Sequence, residues 1–369
     1  MTSKELLSEM SMRILSRLLL LPRNREYSSS TLLFDMGTDI HTLCKEQFDD
    51  LVSIAGSNHV IVRALEIILA LTRKTGDNLR YGWAQAALET EQSRIFKAVA
   101  FLHEICAAFE REQYEVTVIK SLDHLPDLGS DLDLYTNACA TDVFRLMKAS
   151  FQAQIAARSW GDRLARKWNF IIPELPEAVE IHIGRLGQTG EQVAIAARLG
   201  GRSRELLLNG QTFRIASASD RLMISTLQRM YRHFYFRLCD IVDTTELVES
   251  GAVDYMDLRA SAIDSGIWEG VATYLTIVSD YVMKYRGEPL DLPEFVIGAS
   301  TFGGEDVSYS HEFLRVPIMP HSAKLYAKQL IGMLRKKQVR NGARLSLLPC
   351  LATAALVGQK FTGSDKGIW

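Results

Sequence analysis

A chain of 369 residues exceeds what one hydrophobic core ordinarily holds, roughly 250 to 300 residues, so more than one lobe is expected. With 47% hydrophobic and 23% charged residues, its composition is that of a folded globular protein and excludes a disordered, collagen-like or disulfide-scaffold chain. Its 42 Lys and Arg against 44 Asp and Glu leave a net charge of −2, which supplies no general field for a polyanion, so nucleic acid is not an expected partner.

The apolar runs all fall short of the ~20 residues that span a bilayer, and Glu5 and Glu9 flank the first of them. Five scattered cysteines form no C-x-x-C pair, which suggests neither a disulfide framework nor a thiolate zinc site. A cytoplasmic protein without a membrane partner is the expectation. Residues 1–84 read as an N-terminal helical lobe, because Leu6, Met10, Ile14, Leu18 and then Ile61, Leu65, Ile68, Leu69 recur at helical spacing. Turn formers break this lobe at residues 22–30 and again at Thr75-Gly76-Asp77-Asn78. From Gln92 onward Ile95, Val99, Leu102, Cys106 and Phe109 share one helical face.

The period then changes. Residues 114–120 alternate and are β-branched, predicting a strand that ends in Lys120-Ser121; residues 122–130 read as a loop and 131–135 as a second strand. Thr141-Asp142 is placed to cap a helix whose apolar face is Val143, Phe144, Met147, Phe151 and Ile155. Two further strand-like runs, 168–172 and 178–183, complete a core at 85–215. Beyond it, Ser219-Asp220 is read as the cap of a helix 221–238, with more helices at 240–250, 256–265, 270–285 and a basic one at 322–337, making 216–369 a C-terminal helical lobe. The fold class is α+β: a small mixed sheet flanked by two helical lobes.

The chemistry concentrates around the second strand. Side chains at i and i+2 of a strand share a face, so Asp131 and Asp133 project together while Leu132 and Leu134 turn inward. Two such carboxylates repel and are stabilised by a divalent cation between them. Lys120 and Ser121 offer a cation, a hydroxyl and backbone N–H groups to phosphate oxygens. Glu180, in the centre of the apolar strand 178–183, is costly there unless paired or metal-bound, and is the third carboxylate sought on a neighbouring strand.

These residues resemble the nucleotidyltransferase superfamily, whose founding fold is that of DNA polymerase beta. Its pattern is a strand ending in a small-residue pair, a spacer, an acidic-x-acidic strand and a later third acid. Lys120-Ser121, Gly129-Ser130-Asp131-Leu132-Asp133-Leu134 and Glu180 stand at the matching places. Within the superfamily the chain looks most like a poorly characterised bacterial branch in which Lys precedes the small residue, His follows the third acid as in Glu180-Ile181-His182, and a helical region carries an Arg-Leu-x-x-x-x-Asp run, approximated by Arg237 to Asp243. The resemblance covers about residues 85–285 and departs from the pattern in having Lys120 in place of Gly.

It implies metal-assisted transfer of a nucleoside monophosphate from an NTP, ATP first among them, to a hydroxyl or amine on a small molecule, peptide or protein. Asp131, Asp133 and Glu180 would be catalytic and hold two Mg²⁺ ions, with Lys120, Ser121, Ser130 and His182 binding nucleotide. Arg221, Arg229, Arg232 and Arg237, expected on one helix, are candidate triphosphate contacts from the second lobe, although such a basic face is commonly solvated; residues 334–340 read as a solvated basic face. Asp127 is explained by turn chemistry, and Glu177 and Asp123 are the next candidates for the third acid. The competing readings are a non-catalytic nucleotide-binding protein on the same fold and a tRNA-directed transferase or toxin, against which the near-neutral charge argues.

Overall fold

The computed structural model describes residues 3–20, 39–310, 312–351 and 353. The loop expected at 22–30 and the tail 363–369 lie outside the described residues. Helices α1 (Ser3–Leu20), α2 (Lys45–Ser57), α3 (Ile61–Thr75) and α4 (Asn78–Arg111) precede the first strand. Gly76, at φ 74°, ends α3 in the left-handed conformation that a side chain disfavours, and Asp77 starts α4 by accepting the Arg80 N–H. The punctuation read at 75–78 is therefore two helix caps back to back. Helix α4 has 34 residues and runs straight through the boundary drawn at 84/85. Its face of Ile95, Val99, Leu102, Cys106 and Phe109 is buried.

The core is α+β, with helices around a seven-stranded mixed sheet of order β3-β4-β5-β2-β1-β7-β6. Its strands are β1 (Val116–Val118), β2 (Asp131–Thr136), β3 (Gln154–Ile155), β4 (Lys167–Ile171), β5 (Ala178–Ile183), β6 (Arg204–Leu208) and β7 (Gln211–Ile215). Between them lie α5 (Ala140–Phe151), α6 (Trp160–Ala165) and α7 (Val193–Arg202). Three local expectations change. Strand β1 stops at Val118, before Lys120-Ser121, because Lys120 turns to φ 70° and starts a 3₁₀ turn over Ser121–His124. Helix α5 is preceded by Cys139, with Asp142 in its first turn and not at the cap. Ile155 lies on the exposed edge strand β3 and not on the face of α5, since Gln152 closes that helix at φ 51°.

The C-terminal lobe is not purely helical. Helix α8 (Ala218–Gln228) is capped by Ser217, two residues before the expected cap, and gives way to a π-type turn at Arg229–His233 and the short strand β8 (Tyr235–Phe236) before α9 (Leu238–Glu249) begins. The expected continuous helix 221–238 is interrupted because Asp240 accepts the Arg237 N–H, starting a new helix there, and pairs with the Arg229 side chain at 2.7 Å. Strand β8 pairs antiparallel with β10 (Phe313–Arg315), which pairs with β9 (Ser308–Ser310). The remaining helices are α10 (Tyr255–Ser265), α11 (Trp268–Arg286), α12 (Glu294–Ile297), α13 (Ala323–Arg335) and α14 (Val339–Leu345). Tyr274 and Val278 of α11 are fully buried, and Phe236 stacks on Tyr274 at 5.1 Å. Among the described residues no helix is long and apolar enough to cross a membrane.

Candidate functional site

The central strands set the geometry. Strand β2 pairs in parallel with β5, and the register puts Asp133 beside Glu180. Partners in a parallel pair share a face, so pleat alternation places Asp131, Asp133, Glu180 and His182 on one side of the sheet. Leu132 and Leu134 of β2, like Val179 and Ile181 of β5, are fully buried on the other. Asp131 is exposed at the rim, whereas Asp133 and Glu180 are buried. The three carboxylates singled out from the sequence are thus brought onto one face.

The turn after β1 lies across them. At φ 70° the Lys120 backbone is in a region that a side chain rarely enters, and Nζ reaches to 2.5 Å from Asp133 Oδ1 and 3.6 Å from Glu180 Oε1. The Ser121 hydroxyl accepts the Asp133 N–H at 2.7 Å and donates to the Asp131 carbonyl at 3.2 Å. The hydroxyl expected on a phosphate therefore acts as a clamp that fixes the turn to the acidic strand. Only the Lys120 half of that pair presents a cation, and it is held between Asp133 and Glu180.

A residue not singled out from the sequence completes the charge pattern. Lys167, the first residue of β4, is buried, and its ammonium lies 2.7 Å from Glu180 Oε2 and 2.9 Å from Asp162. On its other oxygen Glu180 meets His182 Nε2 at 2.8 Å. Burial alone would raise the Glu180 pKa, but Lys120, Lys167 and the His182 contact outweigh it and hold the carboxyl well below the usual range. Asp133 goes the other way. Burial, reinforced by the negative charges of Glu180 and Asp131, outweighs Lys120 and pushes it up to about 8. The two adjacent carboxyls are driven in opposite directions and titrate as a pair.

His182 is held neutral. Burial pulls its pKa down to about 4 despite the Glu180 contact, and its Nδ1 has no hydrogen-bond partner. An unfolded histidine titrates near 6.5, so between these values the unfolded chain binds the extra proton and the folded state loses stability as pH falls, of order 3 kcal/mol across the window. His182→Gln removes this step. Its melting temperature should drop less than that of the wild type between about pH 7 and pH 4.5, and identical slopes would count against a buried neutral imidazole.

A cavity of about 180 Å³ opens in front of the acids. Lys120, Ser121, Ser130, Asp131, Asp133 and Glu180 line one part of it, and Lys167 joins them. His182 does not; it lines an adjoining cavity of about 40 Å³ behind Lys120. The far wall comes from the C-terminal lobe: Gln228, Arg229, Arg232, His233, Tyr235 and Arg237. The four arginines do not share a helix. Arg221 belongs to α8 and pairs with Asp123 at 2.7 Å, Arg229 and Arg232 sit in the π-type turn, and Arg237 precedes α9. Nor is the group a solvated face, since Arg229 is only 2% exposed. Residues 334–340 do lie mostly on the surface, with Lys336 paired to Asp264.

The reserve acids are occupied elsewhere. Glu177 pairs with Arg94, and Asp123 with Arg221. Asp127 has a structural task beyond its turn: it is fully buried, accepts the Val62 N–H at 2.6 Å and pairs with Arg63 Nε at 2.8 Å. Sequence reasoning missed Lys167, His59, Tyr235 and His233. A lysine opening an apolar strand was a readable signal for Lys167; the others reach the cavity through lobe packing, which has no local signature.

No protein-family model matches this sequence, and no curated protein matches it. Among solved structures, it is similar to an antigenic nucleotidyltransferase-like protein from Paracoccidioides brasiliensis, at 12% identity and a TM-score of 0.30, over 44% of this chain and 84% of that one.

Proposed function

We propose that the protein is a Mg²⁺-dependent nucleotidyltransferase that moves a nucleoside monophosphate from an NTP, ATP first, to a hydroxyl or amine of a small molecule, peptide or protein. The observation that carries this reading is the β2–β5 register, which sets Asp133 beside Glu180 with Asp131 on the same face, at a cavity whose far wall is lined by arginines. It supports the resemblance seen in the motifs at the level of side-chain placement.

The donor set fits a hard divalent ion. Asp131, Asp133 and Glu180 supply carboxylate oxygens, and the buried Asp133 Oδ1 already holds a cation, the Lys120 ammonium at 2.5 Å. These residues would hold two Mg²⁺, which when bound neutralise triphosphate charge and acidify an acceptor hydroxyl. Glu180, with its depressed pKa, suits the part of a permanent anion and is a poor general base. Arg232 and Arg237 stand where they can clamp phosphate oxygens, and Lys120, on leaving Asp133, becomes a further phosphate ligand. Ser121 keeps the turn in place for that exchange. Catalysis in this arrangement is positioning and charge complementarity.

One observation favours a second reading. The Lys120 bridge between Asp133 and Glu180 already neutralises part of the acidic cluster. If it persists with nucleotide present, the site binds and does not turn over. Incubating the protein with each NTP and Mg²⁺ in cell extract, with mass spectrometry of the products and a pyrophosphate assay, separates the two. Metal-dependent pyrophosphate release is expected; nucleotide binding without release establishes the binding-protein reading.

A further inference from the structure

Beside the acidic strands, a second group of potential ligands meets: His59, His124 and Cys239, each offering one donor atom within 4.8 Å of the other two. They come from three parts of the chain, the α2–α3 turn, the 3₁₀ turn after β1 and the first turn of α9. His59 and His124 face the cavity, and Cys239 is fully buried behind them.

The scaffold around them holds the three in register. Asn58 accepts the Leu238 N–H on its side chain at 2.9 Å and the Cys239 N–H on its carbonyl at 3.2 Å, tying the residue before His59 to the backbone at Cys239. Asp243, one turn beyond Cys239 on the same face of α9, meets His124 Nδ1 at 2.5 Å. That contact engages Nδ1 and leaves Nε2 of His124 as its ligand atom, a metal taking the place of the hydrogen bond between His124 and Cys239. Asp243 is fixed in turn by Arg63 at 2.7 Å, which also pairs with Asp127. His59 sits at φ 54° just after the end of α2, a position where glycine or asparagine is the usual occupant. Positive charge near the group is mostly matched: Arg63 has two carboxylates and Arg229 has Asp240, leaving Arg237, 3.5 Å from His59 Nδ1, as the neighbour that a ligand's charge must meet.

We propose that His59, His124 and Cys239 form a site for a borderline transition metal, Zn²⁺ foremost, with its fourth position open toward the cavity. Two imidazoles and a thiolate select Zn²⁺ over Mg²⁺, so this site does not compete with the carboxylates for the same ion. Asp243 serves as the carboxylate that orients a ligating histidine. Binding converts the Cys239 thiol to a metal thiolate and releases its proton to solvent. The ion joins the N-terminal lobe, the core and the C-terminal lobe at one point. The spacing of the cysteines hid it because its ligands are remote in sequence and only one of them is a cysteine.

Cobalt titration of the EDTA-dialysed full-length protein tests this independently of any nucleotide chemistry. Four-coordinate Co²⁺ with a thiolate ligand gives intense visible bands and a near-ultraviolet sulfur-to-cobalt charge-transfer band; one equivalent should develop both, displaced by Zn²⁺ and untouched by millimolar Mg²⁺. Cys239→Ser should lose the charge-transfer band. His59→Asn, which keeps a residue tolerant of positive φ, should lower affinity by more than the ~10- to 100-fold that loss of an outer partner costs. Asp131→Asn should leave the titration unchanged, which separates this site from the acidic one. A wild-type protein that melts cooperatively yet gives no charge-transfer band, or a band that survives Cys239→Ser, overturns the proposal.

Discussion

Asp133→Asn is expected to lower Mg²⁺-dependent NTP turnover by about two to three orders of magnitude or more, while the protein stays folded. Asparagine keeps the shape and removes a hard anionic donor from the middle of the acidic cluster, and the loss of one preorganised electrostatic group at a reacting phosphate is worth about 10²- to 10³-fold or more. The same substitution carries a stability signature with a defined sign. The folded-state pKa of Asp133 is raised to about 8 from an ordinary 3.8, so without metal the folded protein holds a proton that the unfolded chain has already given up. Its contribution is intact below about pH 4 and is lost as pH rises toward 8. The variant has no such group. Metal-free melts should therefore show the variant gaining on the wild type through this window and holding a constant lead above it. Wild-type turnover by Asp133→Asn would sink the metal assignment, and a lead that shrinks with rising pH would sink the electrostatic account of the pair.

Arg63→Ala should produce the largest loss of stability in the molecule outside the apolar core. The Arg63 side chain is 4% exposed and lies between Asp127 at 2.8 Å and Asp243 at 2.7 Å, with Nη2 also donating to the His124 carbonyl at 3.2 Å. Truncation leaves the buried Asp127 without a cation and Asp243 with His124 alone, and breaking a buried pair in this way costs about 3 to 5 kcal/mol. The double variant Arg63→Met with Asp127→Asn should recover a large part of that, since it removes the charges of Arg63 and Asp127, preserves volume and leaves Asp243 paired with His124. Chemical denaturation of the single and double variants measures both quantities. A single variant within 1 kcal/mol of wild type would mean that water reaches these carboxylates and that the network does not tie the lobes together.

Much of the core was legible because its signals are local. The alternation in 178–183 gave β5 to the residue, and the small-residue block before Asp131 placed the acidic strand. Same-face projection of Asp131 and Asp133 follows from the pleat alone. Pairing Asp133 with Glu180 needed the resemblance to suggest it and the parallel register to place it, since nothing in either strand names its neighbour.

The errors share a cause. The side-chain pattern of β1 continues to Lys120, while the backbone there turns to positive φ and the ammonium meets two acids from other strands. Helix 221–238 was continuous by periodicity, but Asp240 and Arg229 hold the chain in a turn and a short strand, a choice made by a buried ion pair between residues eleven apart.

The sequence by itself determined the α+β class, the carboxylate strand and the positions of most helices, because apolar period and capping chemistry act over a few residues. Which groups face the acids was decided only by the tertiary structure. Lys167 at Glu180 depends on the β4–β5 register, while the arginines of a broken helix at the far wall, and His59, His124 and Cys239 within reach of one another, depend on lobe packing. Burial and approach between residues as much as 180 apart set those charges and distances, and no local pattern encodes them.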